Sequence, residues 1–227
     1  MRMKSTARVD RLIGAGVVFL LAALLVVALV RRSGEAHSAS PGASRPGARA
    51  QTTRPPGSIP STSTAPTTST VPPVPGPVSA VGDSIMLDIQ PDLEADLPGV
   101  RVDGLVSRQF ETGIGIVQAD RADGTLGNVL VIELGTNGTV TSSDVDAMMQ
   151  AAAGVKRVVF VNVDVPRPWE APDNAVLAAG VARYPGVAVL ADWKTLSSGH
   201  PEWFTPDQVH LEPAGAQAMA ALVAREA

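Results

Sequence analysis

VSAVGDSIM (Val78 to Met86) is the stretch whose reading decides the fold. Val78–Val81 reads as a short strand, Gly82-Asp83 as a turn, and the residues from Ile85 to Leu97 as a helix with Pro91 breaking or kinking it. Ser84 sits at the strand-to-helix turn. There its N–H lies at a helix N-terminus, where the dipole favours developing negative charge. The same alternation continues down the chain. Further strands are expected at Val100–Val106, Asn128–Leu134, Val155–Val163 and Val187–Asp192. Helices are expected at Gln109–Arg121, at Ser143–Ala153 with Ser142 or Ser143 as its start, at Asp173–Tyr184, and from Pro213 to Arg225. Several strand candidates are nearly continuous apolar runs, as parallel strands covered on both faces are. The pattern predicts a three-layer α/β/α fold with a parallel sheet of about five strands. In such folds chemistry gathers at the carboxyl ends of the strands, where Ser84, Ser107 and Asn137 all fall.

Three short motifs supply chemistry. Ser84 offers a hydroxyl, LGTNG (Leu134 to Gly138) offers Asn137, and DQVH (Asp207 to His210) offers a carboxylate three residues before an imidazole. A serine hydroxyl is a weak nucleophile and needs a base, a group to orient that base, and donors for the oxyanion. The Asp207–His210 spacing suits a carboxylate that holds Nδ1–H and leaves Nε2 for the serine. Each piece has a plainer reading: Ser84 as a helix N-cap, Asn137 as a type I′ turn residue, Asp207 and His210 as turn and surface residues. It is the combination that points to catalysis. The motif is not a G-x-S-x-G elbow, because Met86 stands at the fifth position. Gly113-Ile114-Gly115 lacks the third glycine of a dinucleotide loop, and no metal-ligand cluster is present, so no cofactor is expected.

VGDSIM, LGTNG and DQVHL, in this order, resemble the SGNH (GDSL-like) hydrolase superfamily over nearly all of residues 78–227. That resemblance implies Ser84 as nucleophile, His210 as general base and Asp207 as its orienting partner. It also implies an oxyanion hole from the Ser84 N–H, Asn137 and a second-block N–H. The family has glycine at that second-block position. VSRQF places Ser107 there, with Gly104 as the alternative, and GTNG replaces the commoner G-x-N-D. SRQF, GTNG, VPRPWE and the HPEWF…D-x-V-H-L run further resemble the extracytoplasmic SGNH domain of membrane acyltransferases that O-acetylate bacterial cell-wall polysaccharide. This likeness implies an acylated glycan as substrate. This chain has one hydrophobic run, not the many of that subgroup, so an acetyl group from the cytoplasm would have to reach it through a membrane acetyl-donor partner, or the protein is an esterase. Arg108, Gln109 and Trp203 are weaker candidates for substrate contact. The loop tryptophans Trp169 and Trp203 read first as packing residues.

Composition divides the chain. Residues 1–11 form a short basic tail and 12–30 an unbroken apolar run of nearly the length that spans a bilayer. The basic tail places the N-terminus in the cytoplasm and the rest outside. A cleaved signal peptide is the alternative, with a shorter apolar core of about 7–15 residues. Residues 31–77, rich in Ser, Thr, Pro, Gly and Ala, read as a disordered linker. Residues 78–227 are long enough for one domain with its own core. They carry 9 Lys/Arg against 20 Asp/Glu, whereas residues 1–77 carry 9 against 2. An acidic exported domain is a poor nucleic-acid partner. With no cysteine the core cannot lean on disulfides.

The expectation is a membrane-tethered, extracytoplasmic serine ester hydrolase or O-acyltransferase. The competing expectation is a non-catalytic glycan-binding or scaffold module on the same fold.

Overall fold

The structure is a computed structural model that describes residues 72–227. The expected tail, the expected anchor at 12–30 and the linker up to residue 71 lie outside the described residues. Among the described residues no helix is long and apolar enough to cross a membrane.

Five strands alternate with helices: β1 (Val78–Gly82), α1 (Ser84–Asp96), β2 (Arg101–Gly104), α2 (Phe110–Ala122), β3 (Val129–Glu133), α3 (Ser142–Ala151), β4 (Arg157–Val161), α4 (Glu170–Ala182) and β5 (Ala188–Ala191). A short helix α5 (Trp193–Ser197), a 3-10 turn at Pro201–Trp203 and helix α6 (Pro213–Glu226) complete the chain. All strand pairs are parallel, in the order β2-β1-β3-β4-β5. The chain leaves β1 for one neighbour and returns on its other side. The carboxyl ends of β1 and β3 therefore flank the point where strand order reverses, where open α/β sheets form a crevice.

Strand side chains alternate between two cores. Val129 and Val131 join α1, α5 and α6 on one face, while Leu130 and Ile132 join α2, α3 and α4 on the other. β3 and β4 are buried at every position, which explains their continuous apolar reading. On α1 the spacing of Ile85, Ile89 and Leu93 makes a buried stripe at helical period. Each such side chain contributes about 1.5–3 kcal/mol by leaving water.

Several boundaries differ from the sequence reading, for physical reasons. Pro91 does not end α1, which runs through to Asp96. The carbonyl that Pro91 leaves without a donor belongs to Leu87, on an exposed part of the helix where water can serve it. β2 ends at Gly104, and Leu105 and Val106 are exposed in the following loop. α3 is capped by Thr141 and not by a serine. The Thr141 hydroxyl accepts from Asp144 N–H while the Asp144 carboxylate accepts from Thr141 N–H, a capping box. α4 starts at Glu170, three residues early.

The fastened chain begins before Val78. Arg157, buried at the start of β4, donates to the carbonyls of Glu226 (3.2 Å), Ala227 (3.1 Å) and Pro72 (2.5 Å). The Asn128 amide donates to Pro75 O at 2.9 Å. One buried cation thus ties both chain segments that pass the amino end of β4.

Candidate active site

Asp83, not Ser84, caps α1. Its carboxylate accepts from Ile85 N–H at 3.0 Å, so the serine hydroxyl is free of the capping role. Ser84 is the first helical residue, and its N–H has no partner within the helix. Gly82 is required by close approach: a Cβ there would lie 2.9 Å from Glu133 O and 2.4 Å from Met86 Cβ.

The Ser84 Oγ lies 3.1 Å from His210 Nε2, and His210 Nδ1 lies 2.7 Å from Asp207 Oδ2. The other Asp207 oxygen accepts from the Thr205 hydroxyl (2.6 Å), Val209 N–H (2.9 Å) and His210 N–H (3.0 Å). With Nδ1–H donated to the carboxylate, the network assigns Nε2 as acceptor for the Ser84 hydroxyl. The Thr205 hydroxyl, then His210, hold the Asp207 carboxyl well below the usual carboxylate range. The hydrogen bond His210 donates to Asp207 raises His210 above its ordinary value against partial desolvation, with added pull from the charges of Asp207, Asp88 and Asp83. Three residues 126 positions apart at their extremes thus form a connected hydroxyl–imidazole–carboxylate relay.

Asn137 follows β3, across the crevice from Ser84. Neither it nor Gly138 takes a positive φ, so the turn is not type I′. Its amide donates to Asp83 Oδ2 at 3.0 Å, which leaves one of its two amide protons for another acceptor. Beneath this contact lie two buried carboxyls. Burial raises Asp83, and burial together with the neighbouring Asp83 charge raises Glu133 much further. The Asp83 charge beside it thus favours the protonated form of Glu133.

Ser107 sits in the exposed loop after β2 at φ 61°, the left-handed region that favours glycine. Here that backbone conformation is carried by a serine. Arg108, expected toward substrate, is turned inward instead. It is 6% exposed and donates to Gly82 O (2.9 Å), Asp103 O and Asp103 Oδ1 (2.6 Å). Its guanidinium fastens the Ser107 loop to the end of β1. Gln109 bridges the second and third motifs, donating to Ser107 O (3.3 Å) and Asn137 O (3.2 Å). Trp203 stacks with His200 (3.9 Å) and Trp193 (5.8 Å), so any substrate contact is left to what those rings do not cover. Trp169 donates to Gly135 O at 3.1 Å. Gly113 is a packing glycine, its missing Cβ 2.3 Å from Leu134.

Asp88, Thr205 and Glu133 escaped the sequence reading. Asp88 had a signal: four residues after Ser84, it shares its helix face. Thr205 lies two residues before Asp207 in a loop without periodicity, and Glu133 was hidden in an apolar strand.

No family model matches the chain. It is 38% identical over 146 residues to a putative peptidoglycan O-acetyltransferase, YrhL, of Bacillus subtilis. It is also 38% identical over 144 residues to the peptidoglycan O-acetyltransferase OatA of Listeria monocytogenes. These matches cover 64% and 63% of this chain but only 23% of either relative. The C-terminal catalytic domain of Streptococcus pneumoniae OatA, solved with a methylsulfonyl adduct, superposes at a TM-score of 0.59 and 24% identity, covering 66% of this chain and 90% of that one. A putative SGNH hydrolase of Slackia heliotrinireducens gives 0.55 at 18% identity, covering 66% and 97%. The chain thus has the fold of these solved SGNH structures and is similar in sequence to proteins named as peptidoglycan O-acetyltransferases.

Proposed function

We propose that this domain moves an acetyl group on or off a cell-wall glycan through an acyl-serine intermediate, held outside the membrane by the apolar run at residues 12–30. The supporting observation is the continuous relay from Ser84 Oγ through His210 to Asp207. Ser84 Oγ attacks the ester carbonyl carbon while His210 Nε2 takes the hydroxyl proton. Asp207, accepting from Nδ1–H, stabilises the imidazolium. The carbonyl oxygen becomes an oxyanion at the N-terminus of α1. There the Ser84 N–H, the remaining Asn137 amide proton and the Ser107 N–H are its donors. Collapse breaks the bond to the leaving oxygen, which takes the proton from His210. In the second half-reaction a sugar hydroxyl or water gives its proton to His210 and attacks the acyl carbon; collapse breaks the bond to Ser84 Oγ, which takes the proton back from His210.

Transfer requires that the acceptor sugar outcompete water at the acyl-serine. The relatives named for peptidoglycan O-acetylation support a glycan acceptor, and in this reading a membrane acetyl-donor protein supplies the acetyl group. The test uses the purified chain with an activated acetyl ester and a chito-oligosaccharide, following acetylated sugar and free acetate by mass spectrometry. Acetylated sugar absent from the Ser84→Ala reaction establishes transfer. Free acetate alone establishes an esterase. No product above the Ser84→Ala background overturns catalysis and leaves a binding module.

A further inference from the structure

A cleft of about 290 Å3 opens beside the relay, walled by Asp164, Pro166, Glu170, Lys194, Phe204 and Gln208. Asp164 and Pro166 follow the carboxyl end of β4, which lies two strands from β1. Strand spacing sets the lateral offset from Ser84 at about 10 Å. The other wall is the loop of the base itself. Gln208 stands between Asp207 and His210, and Phe204 is bridged to Leu211, the residue after His210.

The polar groups of the cleft are held in place by one another. Lys194 Nζ donates to Asp164 Oδ1 (2.6 Å) and to Glu170 Oε1 (3.0 Å). Ser197 donates to Asp164 Oδ2 (2.7 Å), and Val165 N–H donates to Glu170 Oε2 (2.8 Å). An ammonium has three protons and a carboxylate about four acceptor positions. Donor and acceptor capacity therefore remain, in fixed geometry, on a lysine whose side chain is 43% exposed. Phe204 is held by Trp193, ring centroids 5.9 Å apart, and with Pro166 supplies apolar surface. Gln208 takes φ 59°, an uncommon conformation outside glycine, fixed by its N–H to Thr205 O at 2.9 Å. Backbone strain of this kind collects at ligand sites.

This chemistry selects among ligands. An acyl chain would strip water from two carboxylates and an ammonium without replacing their hydrogen bonds. A phosphate or other anion meets a lining of net charge −1, with the lysine already paired. A neutral sugar ring has hydroxyls that donate to carboxylates and accept from the ammonium or the Gln208 amide, and a C–H face for Phe204 and Pro166. The volume is at the lower end for small-molecule sites, about 300–1,000 Å3, and suits one ring. We infer that this cleft is a subsite for an uncharged pyranose ring, one that neighbours the reacting sugar along the glycan. The inference rests on the glycan acyl-transfer reading above and adds to it where the chain of sugars runs: from Ser84 toward β4, past Gln208.

The test measures chitotriose binding to the full chain carrying Ser84→Ala, by calorimetry. In parallel, hydrogen exchange of the wild-type chain is followed with and without chitotriose. Gln208→Gly keeps the backbone conformation and removes the side chain, and Asp164→Asn keeps shape and removes charge. Each is expected to weaken chitotriose binding by about tenfold or more, the loss of one hydrogen bond that involves a constrained or charged group. Exchange should slow in residues 164–170 and 201–208 of the wild type. Binding of equal strength in both variants, or slowed exchange confined to other segments, or no binding at all, overturns the subsite. Acetylation of Ser84 by an activated ester reports the catalytic reading separately. A chain that acylates but binds chitotriose without using this cleft loses the subsite alone. A chain that binds chitotriose here but never acylates loses the catalytic reading alone.

Discussion

The Asp88 carboxylate accepts the Leu211 N–H at 3.0 Å, and so ties the helix that carries the nucleophile to the loop that carries the base. Ser84 and Asp88 lie on one face of α1, and Leu211 directly follows His210. The bond sets the approach of Nε2 to Oγ without touching either atom. Asp88→Ala is expected to lower kcat by about 10- to 100-fold, as small misplacements of reacting groups do, with KM little changed. Single-turnover acylation by an activated acetyl ester measures this. An unchanged kcat would mean that the loop holds its place without Asp88.

His210 acts as base only when neutral, and its value is raised by Asp207. The rate of Ser84 acylation should therefore rise with pH through a midpoint above the ordinary 6.5. Asp207→Asn removes the charge that stabilises the imidazolium. It should move that midpoint downward while lowering the plateau by about 10²–10⁴-fold. A midpoint that stays put on Asp207→Asn contradicts the assigned pairing.

Ser107 carries left-handed backbone at a site where only its N–H is assigned a role. Ser107→Gly keeps the N–H and relieves about 1 kcal/mol of backbone strain. It should raise the melting temperature slightly and leave acylation at the wild-type rate. A large loss of rate would show that the serine side chain takes part.

The buried Asp83–Glu133 pair predicts a pH-dependent stability. The folded-state value of Glu133 lies well above 4.5, so the native chain binds a proton that the unfolded chain has released. Stability from this group is greatest below the unfolded value and declines as pH rises toward the folded one. Glu133→Gln has no proton to lose. Relative to wild type it should gain stability as pH rises from about 4.5, by at most about 1.4 kcal/mol per pH unit. Melting temperatures of the two proteins at pH 5 and pH 8 measure the gain. A constant difference would place the proton elsewhere.

Much of this was legible in the chain. β3 and β4 announce themselves because burial on both faces leaves them apolar apart from the end residues Glu133 and Arg157, and their observed bounds lie within two residues of the apolar runs. The relay was legible because Ser84, Asp207 and His210 each sit in a recognisable local motif. Other features depend on contacts that only the fold creates. Leu105 and Val106 extend the apolar pattern of β2, yet the chain has already turned away toward the site. Arg108 reads as a candidate for substrate contact until Asp103 and Gly82 O are brought beside it. α5 is too short for periodicity to register, and is set by Asp192 capping Thr195 N–H at 3.1 Å. Lys194 meets Asp164 and Glu170 only because β4 and β5 are neighbours in the sheet.

The central claim is that Ser84 carries the acyl group between donor and acceptor. The most direct measurement incubates the chain with an activated acetyl ester, quenches with acid at short times, and maps acetylation by peptide mass spectrometry. Acetyl on the Ser84 hydroxyl should form faster than product is released. It should be absent in Ser84→Ala and form much more slowly in His210→Ala. Product formation in Ser84→Ala at the wild-type rate, with no acetylated Ser84 in the wild type, would contradict it.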